Sequence, residues 1–441
     1  MGSPLFLGID IGTSGIRASC IDAEKNELCS HHISFQSRSA IAGPNAEDKS
    51  EQDPGDWRCL LDELLCSVSR KLSAVSRSRC IKAISIDGTS STVLACSKDG
   101  TALSPALMYN DSRCKKQAEM ISLFAPRESA VHGASSSLAK ALYLLETYPE
   151  TKHLCHQADW LAATLTGSFG ISDENNCLKL GYDSIAQRWP EWLLSNHENT
   201  VIPAEILPRV VTPGTAIGHV LPELTARYQL AQNCIVVAGT TDSNAAVLAT
   251  GASHNGDAVT SLGSTLVIKL FSSKPVFNAD YGIYSHRLNH HWLVGGASNS
   301  GGAVLLRYFT QAQIDEMTPM LKPERPTGLD YYPLPGIGER FPVNDSNKQC
   351  RITPRPESDI IFFQGLLEGI ASIEAEGYDK LASLGATPVK RIYTAGGGSK
   401  NPAWKKIREQ TTGTMILPAE NSEACYGSAL LAKQGFLDNH N

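Results

Sequence analysis

The feature that most constrains this chain is a pattern that occurs twice: an apolar strand, a Gly-Thr/Ser turn, and a second apolar strand. Leu5-Phe6-Leu7-Gly8-Ile9-Asp10-Ile11 reads as a buried strand and Gly12-Thr13-Ser14-Gly15 turns the chain. Residues 16–21 and 28–35 then supply two more short strands, an antiparallel meander. A polar stretch over residues 36–50 is a loop. Asp53-Pro54 opens a helix, with Asp as N-cap and Pro at the first helical position. Trp57, Leu60, Leu61, Leu64, Leu65, Val68 and Leu72 follow at helical spacing and form one apolar stripe. Residues 80–86 are the next strand, so the order is β-β-β-α-β.

The second half repeats this order. Residues 257–262 are a strand, Gly263-Ser264-Thr265 a turn, residues 266–271 a second strand and 292–295 a third. A long helical region covers about 357–384, a strand covers 389–395, and Asn401-Pro402 opens another helix with the same cap-plus-proline logic. The two polar turns fall at equivalent points of the two halves. Such an internal duplication predicts two similar lobes facing a cleft. A chain of 441 residues also exceeds the roughly 250–300 residues at which a single core stops growing. Pro/Gly-rich segments at 322–338 and 344–356 read as surface insertions in the second lobe.

Composition narrows the function classes. Apolar residues make up 42% and charged residues 19%, which excludes a largely disordered chain. A net charge of -6 disfavours a nonspecific nucleic-acid binder, which needs a dense cationic surface to release counterions. No apolar run reaches the roughly 18 residues of a spanning helix, so no membrane partner is expected. The 12 cysteines contain no CxxC pair and read as reduced, mostly buried thiols, with no disulfide framework or zinc site. Met1-Gly2-Ser3-Pro4-Leu5 lacks the basic and apolar regions of a signal peptide. The expected location is a soluble, reducing compartment: the cytoplasm, or the chloroplast stroma for a plant protein whose transit peptide has been trimmed.

The paired turns aim backbone N–H groups and short hydroxyls at one point, which suits phosphate oxygens. Gly and Ser/Thr are also simply what tight turns use; two such turns at matched places favour a phosphate clamp. Asp10 lies just before the first turn, where capping that turn is one explanation, although the strand gains nothing from burying a charge. A carboxylate beside phosphate implies an intervening cation, Mg²⁺. Asp242, in Gly239-Thr240-Thr241-Asp242-Ser243-Asn244, sits at a strand-to-helix corner. Helix capping explains it there, and so does a general base.

Ala395-Gly396-Gly397-Gly398-Ser399-Lys400-Asn401 joins a strand to a helix and admits close approach of a ligand; Asn401 breaks the GxGxxG pattern. No GxxxxGK[ST] sequence occurs, which excludes a P-loop NTPase. Ser137-Leu138-Ala139-Lys140 matches SxxK, but without SDN or KTG it reads as helix. No HExxH or GxSxG sequence is present, and His31-His32 and His290-His291 read as surface or strand-end residues. Ser90 could reach the cleft from a strand end, or serve only as a turn residue. Tyr109-Asn110-Asp111-Ser112-Arg113 suits a polyol and equally a solvated loop.

Four segments in order across nearly the whole chain, Leu7–Ser14 (LGIDIGTS), Thr240-Thr241-Asp242, Ser261-Leu262-Gly263-Ser264-Thr265 and Ala395-Gly396-Gly397-Gly398, resemble those of the FGGY carbohydrate kinases. These belong to the actin/hexokinase/Hsp70 ATPase superfamily. Ile86-Asp87-Gly88-Thr89-Ser90, Gly239-Thr240-Thr241-Asp242-Ser243 and Gly328-Leu329-Asp330-Tyr331-Tyr332-Pro333-Leu334-Pro335 are most similar to the plant and cyanobacterial xylulose-kinase-like branch associated with D-ribulose. The resemblance implies an α/β fold of two ribonuclease-H-like lobes with a central cleft. The N-terminal, sugar-binding lobe would comprise residues 1–249 plus 423–441, and the C-terminal, ATP-binding lobe residues 250–422. Asp242 would be the catalytic base and would contact the sugar with Asp10 and Ser90; Asp10 would also sit at the metal. Thr13 and Ser14 would face the γ-phosphate of ATP, and Gly263, Ser264 and Thr265 the β-phosphate. Gly397, Gly398, Asn401 and Trp404 would border the adenosine.

The implied cofactors are ATP and Mg²⁺, the implied partner is a small-molecule sugar, and monomer and dimer both stay open. Two departures stand out. The chain is shorter than is usual in the family, and Ala141 and Tyr143 replace the bulky apolar residue and Trp of one family signature. A D-xylulose or other polyol kinase, and a non-catalytic ATP-binding protein, are the alternative expectations.

Overall fold

The computed structural model describes residues 3–35, 48–77, 79–194, 202–288 and 290–440. The loop expected at 36–50 therefore lies mostly outside the described residues. Two compact units form: Met1–Ala249 with Glu423–Asn441, and Thr250–Ser422.

The first unit is built on a six-stranded sheet of β1 (Leu5–Ile11), β2 (Gly15–Ile21), β3 (Glu27–Ser34), β4 (Ile81–Gly88), β5 (Ala216–His219) and β6 (Ile235–Val237). Its spatial order is β5-β6-β4-β1-β2-β3. Strands β1, β2 and β3 are antiparallel neighbours, while β4 runs parallel to both β1 and β6. The central position of β1 explains its composition: all seven residues are buried, so a run without polar alternation is required.

Helix α1 (Pro54–Ala74) covers one face, and Asp53 caps it by accepting a hydrogen bond from Gly55 N. Its apolar stripe inserts Trp57, Leu61, Leu64, Leu65, Val68 and Leu72 into a core shared with Leu7, Ile9 and Ile84. The opposite face is covered by α4 (Asp242–Ala249) and α7 (Ala424–Asp438), the last helix of the chain. That packing requires glycine. A Cβ on Gly8 would lie 1.9 Å from the Cys425 carbonyl oxygen, and one on Gly427 would lie 1.8 Å from that of Ala245. Between these elements, α2 (Ser137–Thr147) and α3 (Gln157–Thr166) pack around a small four-stranded sheet of Glu51–Gln52, Val93–Cys96, Ala106–Leu107 and His153–His156.

The second unit repeats the scheme with β7 (Asp257–Leu262), β8 (Leu266–Ser272), β9 (Tyr284–Leu288), β10 (His291–Ser298), β11 (Arg391–Ala395) and β12 (Met415–Pro418). The order is β9-β10-β8-β7-β11-β12. Removing one edge strand from each sheet leaves β3-β2-β1-β4-β6 and β10-β8-β7-β11-β12, with the same antiparallel and parallel pairings. The ribonuclease-H-like topology is thus present twice, and the two Gly-Thr/Ser turns join the same strand pair in each copy. Helix α5 (Asp359–Ser383) crosses the sheet, and α6 (Pro402–Thr412) follows β11 with Asn401 as its N-cap. The edge strands β5 and β9 carry no strong alternation and went unread in the sequence. No helix among the described residues is long and apolar enough to cross a membrane.

Candidate active site

Asp10 and Asp87 are register partners on the parallel strands β1 and β4. One residue on, Gly88 bridges Thr241 in parallel fashion, so Asp242 follows at the next strand position as the first residue of α4. Three carboxylates thus stand at the carboxyl ends of three adjacent strands, where α/β sheets place their ligand sites.

Burial separates their chemistry. Asp87 is fully buried, and loss of solvent followed by the charge of Asp10 pushes its carboxyl well above the usual range. The charge of Asp242 acts on it in the same direction. Asp10 is also raised, mainly by burial, with a hydrogen bond to Asp87 and then the charge of Arg17 opposing; Arg17 Nη1 lies 3.8 Å from Asp10 Oδ2 and 3.5 Å from Glu423 Oε2. Ser428 of α7 donates to Asp87 Oδ2, while Asp87 Oδ1 has no hydrogen-bond partner among the described residues. Asp242 is half-buried, and its Oδ1 accepts from Ser243 N at 2.6 Å within the first turn of α4. A helix N-terminus favours a carboxylate through its dipole, and the half-buried Asp242 is accessible from outside.

The β1–β2 turn presents its hydroxyls outward. Gly12 N donates to Gly15 O at 3.0 Å, and Thr13 and Ser14 are exposed. A relay from α1 fixes it: Trp57 Nε1 donates to Gln52 Oε1 (2.8 Å), whose Nε2 donates to Thr13 O (3.0 Å). Ser90 is half-buried in the turn after β4. Its neighbours are tightly held: Thr89 N and Oγ1 both donate to Gln157 Oε1, and Ser91 adopts a left-handed φ of 64°. Lys140 of α2 is fully buried and donates to Ser91 O (2.8 Å) and Met108 O (2.7 Å). Arg113 bonds to buried Asp111 and to Glu51, so that guanidinium braces the fold.

In the second unit, Gly263, Ser264, Gly397, Gly398, Asn401 and Trp404 line one cavity of about 460 Å³, closed on its apolar side by Leu262, Leu305 and Phe363. Thr265 is outside this lining. The β7–β8 turn is held by the segment after β10, where Gly302 N donates to Gly263 O (2.8 Å) and Ala303 N to Ser264 O (3.1 Å). Gly301 must be glycine, because a Cβ would meet Ser264 O at 2.7 Å and its φ is 146°. Trp404 is buried with its Nε1 on Leu367 O, and Asn401 Oδ1 accepts from Trp404 N.

Sequence reasoning missed Asp87, Lys140 and Ser428. Asp87 had a readable signal, since Ile86-Asp87-Gly88 places a charge in an apolar strand just as Ile9-Asp10-Ile11 does. Ser428 had none, because its role depends on α7 returning to the first unit. Among the described residues, no group of three or more His, Cys, Asp or Glu is arranged to hold a metal. A divalent cation that keeps most of its waters needs only one or two carboxylates. The adjacent Asp10 and Asp87 carboxyls, in register on neighbouring strands, fit Mg²⁺ on those terms.

This architecture is the two-domain α/β fold of actin and hexokinase. Residues 5–249 match the N-terminal domain, and residues 258–434 the C-terminal domain, of the FGGY family of carbohydrate kinases. The chain belongs to that family and is a sugar kinase. The second match includes most of α7, although that helix packs in the first unit. A xylulose kinase of Lactococcus lactis is 27% identical over 422 residues, covering 90% of this chain and 80% of the relative. A solved xyloylose kinase from Brucella ovis superposes with TM-score 0.85 at 23% identity, covering 98% of this chain and 91% of that one. Plasmodium falciparum glycerol kinase with ADP gives 0.83 at 20% identity, covering 98% and 90%.

Proposed function

We propose that the protein transfers the γ-phosphoryl group of ATP to the terminal hydroxyl of a ketopentose, D-ribulose, giving D-ribulose 5-phosphate. The observation that carries this reading is the half-buried Asp242 at the head of α4, beside the buried Asp10–Asp87 pair. Asp242 orients the sugar hydroxyl and takes its proton, Ser90 and Asp10 bind the sugar, and Thr13 and Ser14 are the first unit's donors to the γ-phosphoryl group. The cavity of the second unit takes the nucleoside through Gly397, Gly398, Asn401 and Trp404, and Gly263, Ser264 and Thr265 face the β-phosphate. Asp10, with Asp87, would hold Mg²⁺, which supplies charge neutralisation at phosphate oxygens. Phosphoryl transfer through a loose transition state asks little else of side chains, so positioning and charge dominate.

D-ribulose rests on the wording of residues 86–90, 239–243 and 328–335; the name xylulose kinase among the relatives favours D-xylulose as the second reading. ADP release from ATP and Mg²⁺, measured with D-ribulose, D-xylulose, L-ribulose and glycerol, tests both. The highest kcat/KM is expected with D-ribulose. A higher value with D-xylulose moves the assignment to that sugar. ADP formation that ignores every sugar, or sugar binding without transfer, overturns the kinase reading in favour of a binding or ATPase role.

A further inference from the structure

Cys20 and Cys29 are nine positions apart, with nothing in the sequence to pair them. The fold makes them directly opposed partners on the antiparallel strands β2 and β3. Opposed residues of antiparallel strands have Cα atoms about 4.5–5.5 Å apart, inside the roughly 4.4–6.8 Å that a disulfide spans. Both side chains lie on the face covered by α1, where Cys29 packs against the core that holds Cys20. The two positions differ in access. Cys20 is fully buried, whereas Cys29 is half-buried on β3, the edge strand of the sheet. Their thiols interact: the hydrogen bond from Cys20 pulls the Cys29 thiol below its ordinary value, with Lys71 helping, and raises that of Cys20. Lys71 is held near by its own bond to Ser30 O at 2.7 Å.

We propose that Cys29 and Cys20 form a redox-active dithiol that reacts with small disulfides of the glutathione class, Cys29 as attacking thiolate and Cys20 as resolving thiol. In the first step the Cys29 sulfur attacks one sulfur of the disulfide, forming a mixed disulfide and expelling one thiolate. Cys20 then gives up its proton and attacks the Cys29 sulfur, expelling the second thiolate. The protein dithiol is oxidised to a disulfide and the small disulfide is reduced to two thiols. The order follows from access, because a reagent reaches Cys29 and cannot reach Cys20. An internal comparison exists in Cys96 and Cys155, which also interact but are offset in register and both fully buried. They lack an entry point and stay reduced.

The test incubates the full-length native protein with oxidised glutathione, blocks free thiols, and maps peptides after tryptic cleavage, which cuts between the two cysteines at Lys25. The expected product is a Cys20–Cys29 cross-linked peptide, with Cys96 and Cys155 recovered as thiols. Cys20→Ser is expected to accumulate a stable glutathione adduct on Cys29, and Cys29→Ser to leave Cys20 unmodified. The second substitution is at a half-exposed position, so it reports even where the first fails to fold. A wild-type protein that keeps glutathione on Cys29 without the cross-link, pairs either residue with another cysteine, or leaves both unreacted overturns the proposal.

Discussion

Asp10 and Asp87 stand side by side in register on adjacent parallel strands, one nearly and one wholly buried, and burial raises both carboxyls. Two acids side by side in a buried strand pair cost stability and mark a site kept for chemistry. Asp87→Asn keeps the shape and the bond to Ser428 and removes the titration. The folded Asp87 stays protonated above the pH at which the unfolded chain has ionised, so wild-type stability falls as pH rises through that window. The variant has no such loss. Urea unfolding is expected to show near-equal stabilities at about pH 4 and a gain for Asn of about 0.5–2 kcal/mol at pH 8, with kinase activity strongly reduced. A gain that does not grow with pH removes the buried-acid account.

Asp242 accepts from Ser243 N in the first turn of α4 and is the proposed base, and Asp242→Asn separates the roles. The amide still accepts from Ser243 N but accepts no proton from the sugar. Sugar-dependent ADP formation is expected to drop by roughly 10²–10⁴-fold. ATP affinity, read by calorimetry, is expected to stay within about twofold, since the cavity lined by Trp404 is untouched. Turnover within a few-fold of wild type would remove Asp242 from the chemistry.

How much of this was legible depended on whether the cause was local. The two meanders, the caps at Asp53 and Asn401 and the repeated turns follow from periodicity and turn chemistry within short windows. The pairing of Asp87 with Asp10, the Ser428 contact and the opposition of Cys20 to Cys29 are products of strand order and register. Neighbouring residues carry no trace of them. The edge strands β5 and β9 escaped because they are short and do not alternate: β5 has no fully buried residue, and β9 buries the adjacent polar Ser285 and His286.

The Gly397–Gly398 corner distinguishes two glycines that look alike in sequence. A Cβ on Gly398 would meet Trp404 Cζ3 at 2.5 Å and Leu262 Cβ at 2.8 Å, while one on Gly397 meets nothing within 4 Å. Trp404 cannot retreat, being buried and tied to Leu367 O. Gly398→Ala is expected to raise the KM for ATP by about tenfold, or 1.4 kcal/mol, and leave the sugar KM unchanged. Gly397→Ala serves as the control, with near-wild-type constants. Initial-rate kinetics varying each substrate decide it, and equal effects of the two substitutions would show that the ring does not form the nucleotide wall.

Lys140 offers a test with the opposite sign from Asp87. Burial lowers its amine to about 7, with Asp111 and Cys114 opposing that shift and Lys179 and Arg113 adding to it. Between about pH 7 and the ordinary lysine range, the unfolded chain holds a proton that the folded protein has released. Wild-type stability therefore rises with pH across that window, by at most about 1.4 kcal/mol per pH unit. Lys140→Met removes the titration together with the bonds to Ser91 O and Met108 O. Urea unfolding at pH 6.5, 8 and 9.5 is expected to show the advantage of wild type over the variant widening at each step. Cysteine and tyrosine titrations elsewhere cancel in the difference, so an advantage that stays constant would mean that Lys140 remains charged inside the fold.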